Sequence, residues 1–150
     1  MATRNAIDLL KADHANVKNL FEQWENAETD QRARVAETVF AELEVHADLE
    51  EHLFYPAFRQ RADKEEIDLL DEALKEHKEA KQTIAKLKAL GADEDEKFET
   101  LFDDLVDAVS HHVEEEETEM LPRAERKLGD QLERLAIEMQ QRKEHVAVKK

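Results

Sequence analysis

The sequence predicts an all-α protein, an antiparallel up-down four-helix bundle with an additional C-terminal helix. Three observations predict it. Ala, Leu, Glu, Lys and Arg make up more than half of the 150 residues, and only two Gly and two Pro interrupt them; such a composition belongs to long helices. Apolar residues recur at helical steps of three and four. The few caps and stops cut the chain into five segments with short connections, which make neighbouring helices antiparallel. A sandwich or barrel would need turn residues every ~8–12 positions, and the sequence lacks them.

The first helix is expected over about residues 5–26, ending in the polar stretch Glu25–Asp30, with Ile7, Leu10, His14, Val17, Phe21 and Trp24 on its buried stripe. Thr29 or Asp30 is expected to cap the second, which runs to about Arg61 with Val39, Leu43, His46, Glu50, Leu53 and Ala57 inward. Asp63 with Glu66 reads as a capping box for the third. Its stripe is Ile67, Leu70, Leu74, His77, Ala80 or Lys81, and Ile84, and Gly91 closes it. Asp93 with Glu96 opens the fourth, which carries Phe98, Leu101, Leu105, Val109, His112, Glu116 and Met120 to a stop at Gly129. The fifth, over about 130–146, contributes Leu128, Leu132, Leu135 and Met139. Pro56 and Pro122 are expected to kink or end their helices, because a helix-interior proline forfeits a backbone hydrogen bond. Residues 1–150 are read as one domain, with the bundle over about 5–122.

Charge and composition narrow the function. Lys and Arg number 22 against 38 Asp and Glu, a formal charge of −16. Such a surface repels nucleic acid and anionic membranes and attracts cations. The absence of Cys excludes disulfides, thiolate-ligated zinc, iron–sulfur clusters and thiol catalysis. The opening residues carry no apolar leader and no apolar run approaches a membrane span. The expectation is a soluble cytoplasmic protein, a monomer or weak homodimer, with any protein partner a separate chain.

Four of the five stripes are interrupted by ionisable residues at mid-length. His46-x3-Glu50 is followed six residues later by Pro56, and His112-x3-Glu116 six residues later by Pro122. A lone stripe histidine, His14 or His77, precedes each copy, so the chain reads as a duplicated helical hairpin. Residues at i and i+4 share a face, and counting about 1.5 Å per residue from the turns brings all six side chains within a turn or two of one level. Two glutamates in apolar stripes would each cost several kcal/mol unless paired or metal-bound, and no Arg occupies a stripe. A dinuclear cation site held by His14, His46, Glu50, His77, His112 and Glu116 satisfies both carboxylates and all four imidazoles. Mixed imidazole and carboxylate ligation suits iron, manganese or zinc, and carboxylate-bridged pairs in bundles favour iron or manganese.

With His14, His46-x3-Glu50, His77 and His112-x3-Glu116, each pair running on to a proline, the chain resembles the hemerythrin-like (HHE cation-binding) family over about residues 5–122. The resemblance implies a four-helix bundle around a non-haem di-iron centre that binds O2 or related small molecules such as peroxide or nitric oxide. Some members carry or sense oxygen, and others respond to iron, nitric oxide or peroxide. The oxygen carriers bring two histidines from the third helix, spaced His-x3-His, where this chain has Ala73 and His77. Their fourth-helix carboxylate falls at the position of Glu117, whereas Glu116 matches Glu50 in the repeat. Four histidines and two bridging carboxylates fill about eight of about twelve positions on two six-coordinate ions. With a single oxygen bridge, about one position on each ion stays open. That count favours redox, ferroxidase-type or sensing chemistry over pure reversible O2 carriage, with an iron- or oxygen-responsive binding module as the alternative.

The remaining candidates are read as bystanders. His111, with Glu115 at i+4, rivals His112 but is out of phase with Leu105 and Val109. His52 faces away, and His145 lies in the tail. Tyr55 is read as a half-buried packing ring, with a hydrogen bond near the centre as the alternative, Phe21 and Trp24 as core, and Glu76 and Glu79 as surface. The acidic run Glu114–Glu117 with Glu119 is read, Glu116 apart, as a solvated face, with a low-affinity cation entry patch as the alternative.

Overall fold

The computed structural model describes residues 5–91 and 95–149. Among these are five helices and no strand. Helix α1 spans Ala6–Asn26, capped by the Asn5 side chain, which accepts from the Asp8 N–H. Helix α2 starts at Thr29 and continues through a π-helical turn, Glu50–Phe54, into Tyr55–Arg59. Its N-cap is Glu28 with no side-chain cap bond, so neither Thr29 nor Asp30 is the capping residue; both already lie inside the first turn. Helix α3, Lys64–Leu90, opens with the expected capping box of Asp63 and Glu66, and Gly91 at φ 75° ends it. Helix α4 runs over Asp95–Glu115, a second π-helical turn at Glu116–Met120, and Leu121–Leu128. The expected Asp93 cap lies outside the described residues. Gly129, at φ 49°, stops α4, and α5 spans Gln131–Lys149.

The prolines do not end their helices. Instead the Tyr55 N–H reaches back five residues to the Glu50 carbonyl, immediately before Pro56, and the Leu121 N–H does the same to Glu116 before Pro122. The hydrogen-bond register changes where the next residue has no N–H to give. The extra residue in each widened turn also advances the buried stripe by one. Leu53 and Ala57, expected inward, are only half-buried, whereas Phe54 and Phe58 are fully buried.

Two apolar clusters fill the bundle. One joins the start of α1 to α5 and the proline ends of α2 and α4, with Leu10, Phe54, Phe58, Leu121, Leu128 and Met139. The other fills the opposite end around Val17, Trp24, Val39, Ile84 and Phe102, with Trp24 stacked on Phe102 at 4.2 Å between ring centres. Each expected ligand lies in the chain between a residue of one cluster and a residue of the other, as His14 does between Leu10 and Val17. The polar layer is thus walled above and below by hydrocarbon. Helix α5 packs against α1 and α2 and is tied to them by ion pairs of Arg142 with Asp48 and Lys143 with Asp13.

Candidate metal centre

The structure brings all six expected residues together in that layer. His14, His46, His77, Glu50 and Glu116 are buried, and the His112 side chain is 11% exposed. Their inward atoms form two overlapping groups, His14, His46, Glu50 and Glu116 in one, Glu50, His77 and His112 in the other. Glu50 belongs to both. The His14 and His46 Nε2 atoms are 3.1 Å apart, His14 Nε2 is 3.3 Å from Glu116 Oε1, and His46 Nε2 is 3.5 Å from Glu50 Oε1. His77 Nε2 lies 2.9 Å from Glu50 Oε1 and His112 Nε2 3.4 Å from Glu116 Oε2. Neighbouring donors around a first-row ion with bonds of about 2.0–2.2 Å sit about 3.0–3.5 Å apart. The spacings match.

The outward nitrogens are as ordered as the inward ones. Each Nδ1 meets a carboxylate: His46 meets Asp13 at 3.0 Å, His77 meets Glu51 at 2.8 Å, His112 meets Glu76 at 2.7 Å, and His14 meets Glu117 at 2.7 Å. The circuit is closed, since α1 serves α2, α2 serves α3, α3 serves α4 and α4 serves α1. A carboxylate accepting from Nδ1–H leaves the Nε2 of a neutral ring as a lone pair, the arrangement that orients metal-ligating imidazoles. Two bare Nε2 atoms 3.1 Å apart repel unless a proton or a cation sits between them.

Charge and orphaned atoms point the same way. Glu50 Oε2, Glu116 Oε1 and His112 Nε2 are buried without a hydrogen-bond partner, a costly arrangement unless an ion completes it. Burial would push the His46 imidazole down, but Glu50 and Asp13 outweigh it and hold it at about 10. His112, likewise buried, is lifted to about 11 by Glu116 and Glu76. Burial would raise Glu50, yet His46 and His77 with Glu116 keep it well below the usual carboxylate range. The His77 hydrogen bond, helped by Lys81, draws Glu51 down to about 2. Glu50 and Glu51 thus stay ionised, and the layer demands positive charge in return.

Tyr55 corrects the sequence reading. It is no half-buried packing ring. Fully buried, its hydroxyl donates to Glu116 Oε2 at 2.6 Å, lies 3.2 Å from Glu50 Oε1 and 3.3 Å from His77 Nε2. Burial, with Glu116 and Glu50 beside it, pushes the phenol well above its ordinary range, so it keeps its proton. The π-helical turn carries it there, by bringing residue 55 around onto the face of Glu50. Glu76, read as surface, is the acceptor for His112.

The family model for the hemerythrin HHE cation-binding domain matches residues 5–124. The chain belongs to this family. Comparison with curated proteins and with solved structures returns no significant match. In this HHE domain the buried His/Glu cluster suggests a metal-binding site. The other histidines stand apart from it: His52 is exposed and bonded to the Asp48 carbonyl, His145 is exposed, and His111 points outward with its side chain 68% exposed. Asp13 and Glu51 escaped the sequence reading, and Glu117, weighed there only as the carriers' carboxylate position, and Glu76 were not seen as partners of histidines, although a signal was present. An acidic residue directly precedes each lone histidine and directly follows each stripe glutamate. No helix among the described residues is long and apolar enough to cross a membrane.

Proposed function

We propose that the protein is a non-haem di-iron protein that binds O2 or a related small molecule, peroxide or nitric oxide, with redox or ferroxidase-type activity. The observation that carries the reading is the pair of overlapping donor groups sharing Glu50, with buried carboxylate and imidazole atoms of Glu50, Glu116 and His112 left without hydrogen-bond partners. His14, His46, Glu50 and Glu116 would hold one ion, and His77, His112 and Glu50 the other, with Glu116 in reach of His112. Iron bound there supplies one-electron redox steps and open coordination positions for the small molecule.

The chain's own residues do the rest. Asp13, Glu51, Glu76 and Glu117 fix each ring so that Nε2 faces inward. Tyr55 anchors Glu116 and Glu50 from the side facing the α5 end, and its held proton makes it a hydrogen-bond donor beside the centre. A cavity of about 400 Å³ reaches the imidazoles of His14, His46, His77 and His112 past Val17, Leu43 and Ile84. It admits a small neutral molecule, and its largely hydrocarbon walls let an ion in only where ligands replace its hydration. Ala73, buried and apolar, adds no nitrogen donor, which leaves more positions open than an oxygen carrier keeps.

One observation favours the alternative of an iron- or oxygen-responsive module. Lys143 of α5 bonds Asp13 at 2.6 Å, and Asp13 holds His46, so ion occupancy is linked to the seating of α5. Limited proteolysis of loaded and metal-free protein at α5 distinguishes this output from turnover. The main reading is tested by metal content and visible spectra of wild type and Glu50→Ala. Wild type is expected to hold about two irons with a spectrum that changes on reduction and reoxidation by O2. The variant should lose affinity by ten-fold or far more, since even outer-partner losses reach about that scale. Wild type with no stoichiometric transition metal after iron loading would overturn the proposal.

A further inference from the structure

A second group of donors lies outside the buried layer. His111 and Glu115, one turn apart on α4, approach each other to 3.1 Å between Nε2 and Oε2. Glu76 of α3 brings its Oε2 to 3.8 Å from the same nitrogen. One donor atom from each residue falls within a single small group. Those separations bracket the edge of about 3.4 Å that a tetrahedral ion with bonds near 2.1 Å imposes. His111 was set aside at the buried centre because of its phase, and that phase is what presents it here.

Two further observations give this group a purpose. Glu76 is shared, because its Oε1 holds His112 Nδ1 at 2.7 Å while its Oε2 faces His111. Glu76 and His111 also line the same cavity as His14, His46, His77 and His112. Glu76 and His111 thus stand where solvent meets the passage to the buried donors, with Glu115 beside His111 one turn along α4. The passage beyond it is mostly apolar, and an ion entering that hydrocarbon directly from water would have to shed its hydration with nothing in exchange. Glu76 and His111 at the entrance, with Glu115 beside His111, supply the first replacement ligands, and the net charge of −16 draws cations toward the surface.

We propose that Glu76, His111 and Glu115 form a second, weaker cation site for divalent first-row ions, through which ions pass to the buried centre. The binding half stands on these three residues alone. The passage half rests on the buried centre proposed above. The donor set suits Fe2+, Mn2+, Co2+ or Zn2+ rather than Ca2+ or Mg2+, which take oxygen ligands only. Partial exposure and only three protein donors make it a transit site.

The test uses the full metal-free chain and Co2+ as the probe, with His111→Ala/Glu115→Gln as the variant. Neither residue belongs to the buried donor set, and both side chains reach solvent, so folding is preserved. Equilibrium dialysis should show wild type binding one Co2+ more than the variant, with lower affinity than the rest. Stopped-flow absorbance should show Co2+ filling the buried site at least about threefold more slowly in the variant, with the same final amplitude. Equal stoichiometry in the two proteins overturns the outer site. A one-ion difference with equal filling rates overturns its role in passage. His46→Ala separates the two readings, because the one-ion difference caused by His111→Ala/Glu115→Gln should persist in that background even if the buried centre is abolished.

Discussion

If each outer carboxylate acts through the histidine it holds, neutralising one carboxylate should weaken one ion and spare the other. Asp13→Asn and Glu51→Gln test this. Asp13 is 7% exposed, accepts from His46 Nδ1 at 3.0 Å and is braced on its other oxygen by Lys143. Asn keeps the shape and removes the charge. A charge-assisted hydrogen bond in a buried site contributes about 1.5–3 kcal/mol, and loss of an outer partner of a metal-ligating histidine costs about 10–100-fold in affinity, equivalent to about 1.4–2.7 kcal/mol. The two routes agree. Asp13→Asn should therefore weaken the ion held by His14 and His46 by about 10–100-fold. Glu51→Gln should weaken the ion held by His77 and His112, toward the lower end of that range, because its side chain is 20% exposed and solvent screens it. Titration with Co2+ against a chromophoric chelator reads the affinities. The hyperfine-shifted Nδ1–H resonances of the loaded protein show which imidazole has changed. If both variants weakened the same ion, or neither moved a resonance of its own histidine, the circuit of carboxylates would be packing and not positioning.

Two further outcomes follow from the same geometry. Tyr55→Phe removes the donor 2.6 Å from Glu116 Oε2 and should destabilise the metal-free protein by about 1–3 kcal/mol. The loaded protein should lose less, since the cations satisfy both carboxylates; equal losses in thermal melts of the two forms would argue against that. The histidines make the metal-free protein pH-sensitive. His46 and His112 are raised from an ordinary value of about 6.5 to about 10 and about 11. Their stabilisation is thus complete below about pH 6.5 and lost as pH rises through 10 and 11. Urea midpoints of the metal-free protein should fall between pH 7 and pH 10, whereas loaded protein should resist, because metal binding needs deprotonated imidazoles and strengthens as pH rises. Parallel pH trends in the two forms would refute the assignment.

The buried stripe of α1 and the repeated His-x3-Glu pattern were legible because both depend on helical phase alone. Ile7, Leu10, His14, Val17, Phe21 and Trp24 are all buried as the three-four spacing requires. Phase fails where the helix changes period. Past Glu50 the stripe moves from Leu53 and Ala57 to Phe54 and Phe58 because a π-helical turn intervenes, and no hydrophobic pattern announces such a turn. The outer carboxylates were hidden for another reason. Asp13, Glu51, Glu76 and Glu117 each sit beside an inner donor on their own helix but serve a histidine on the next one. Their partners depend on how helices are arranged around the bundle axis, which spacing within one helix does not encode.

The π-helical turns then explain why each copy of the repeat ends in proline. A regular α-helix that placed His46 and Glu50 on the axis would turn residue 55 partly away from it, at about 100° per residue. The widened turn over Glu50–Phe54 retards that rotation by one position and delivers the Tyr55 hydroxyl to Glu50 and Glu116. It also restores an apolar stripe, Phe54 and Phe58, for the cluster that seals the layer from below. The widened turn changes the backbone hydrogen-bond register, and proline one residue later is compatible with that change because it has no N–H needing an acceptor. The second copy repeats the geometry, with Met120 and Leu121 buried ahead of Pro122. The Glu and the Pro six residues on thus belong to one device, in which the carboxylate faces the site and the proline marks where the helix resumes its ordinary period.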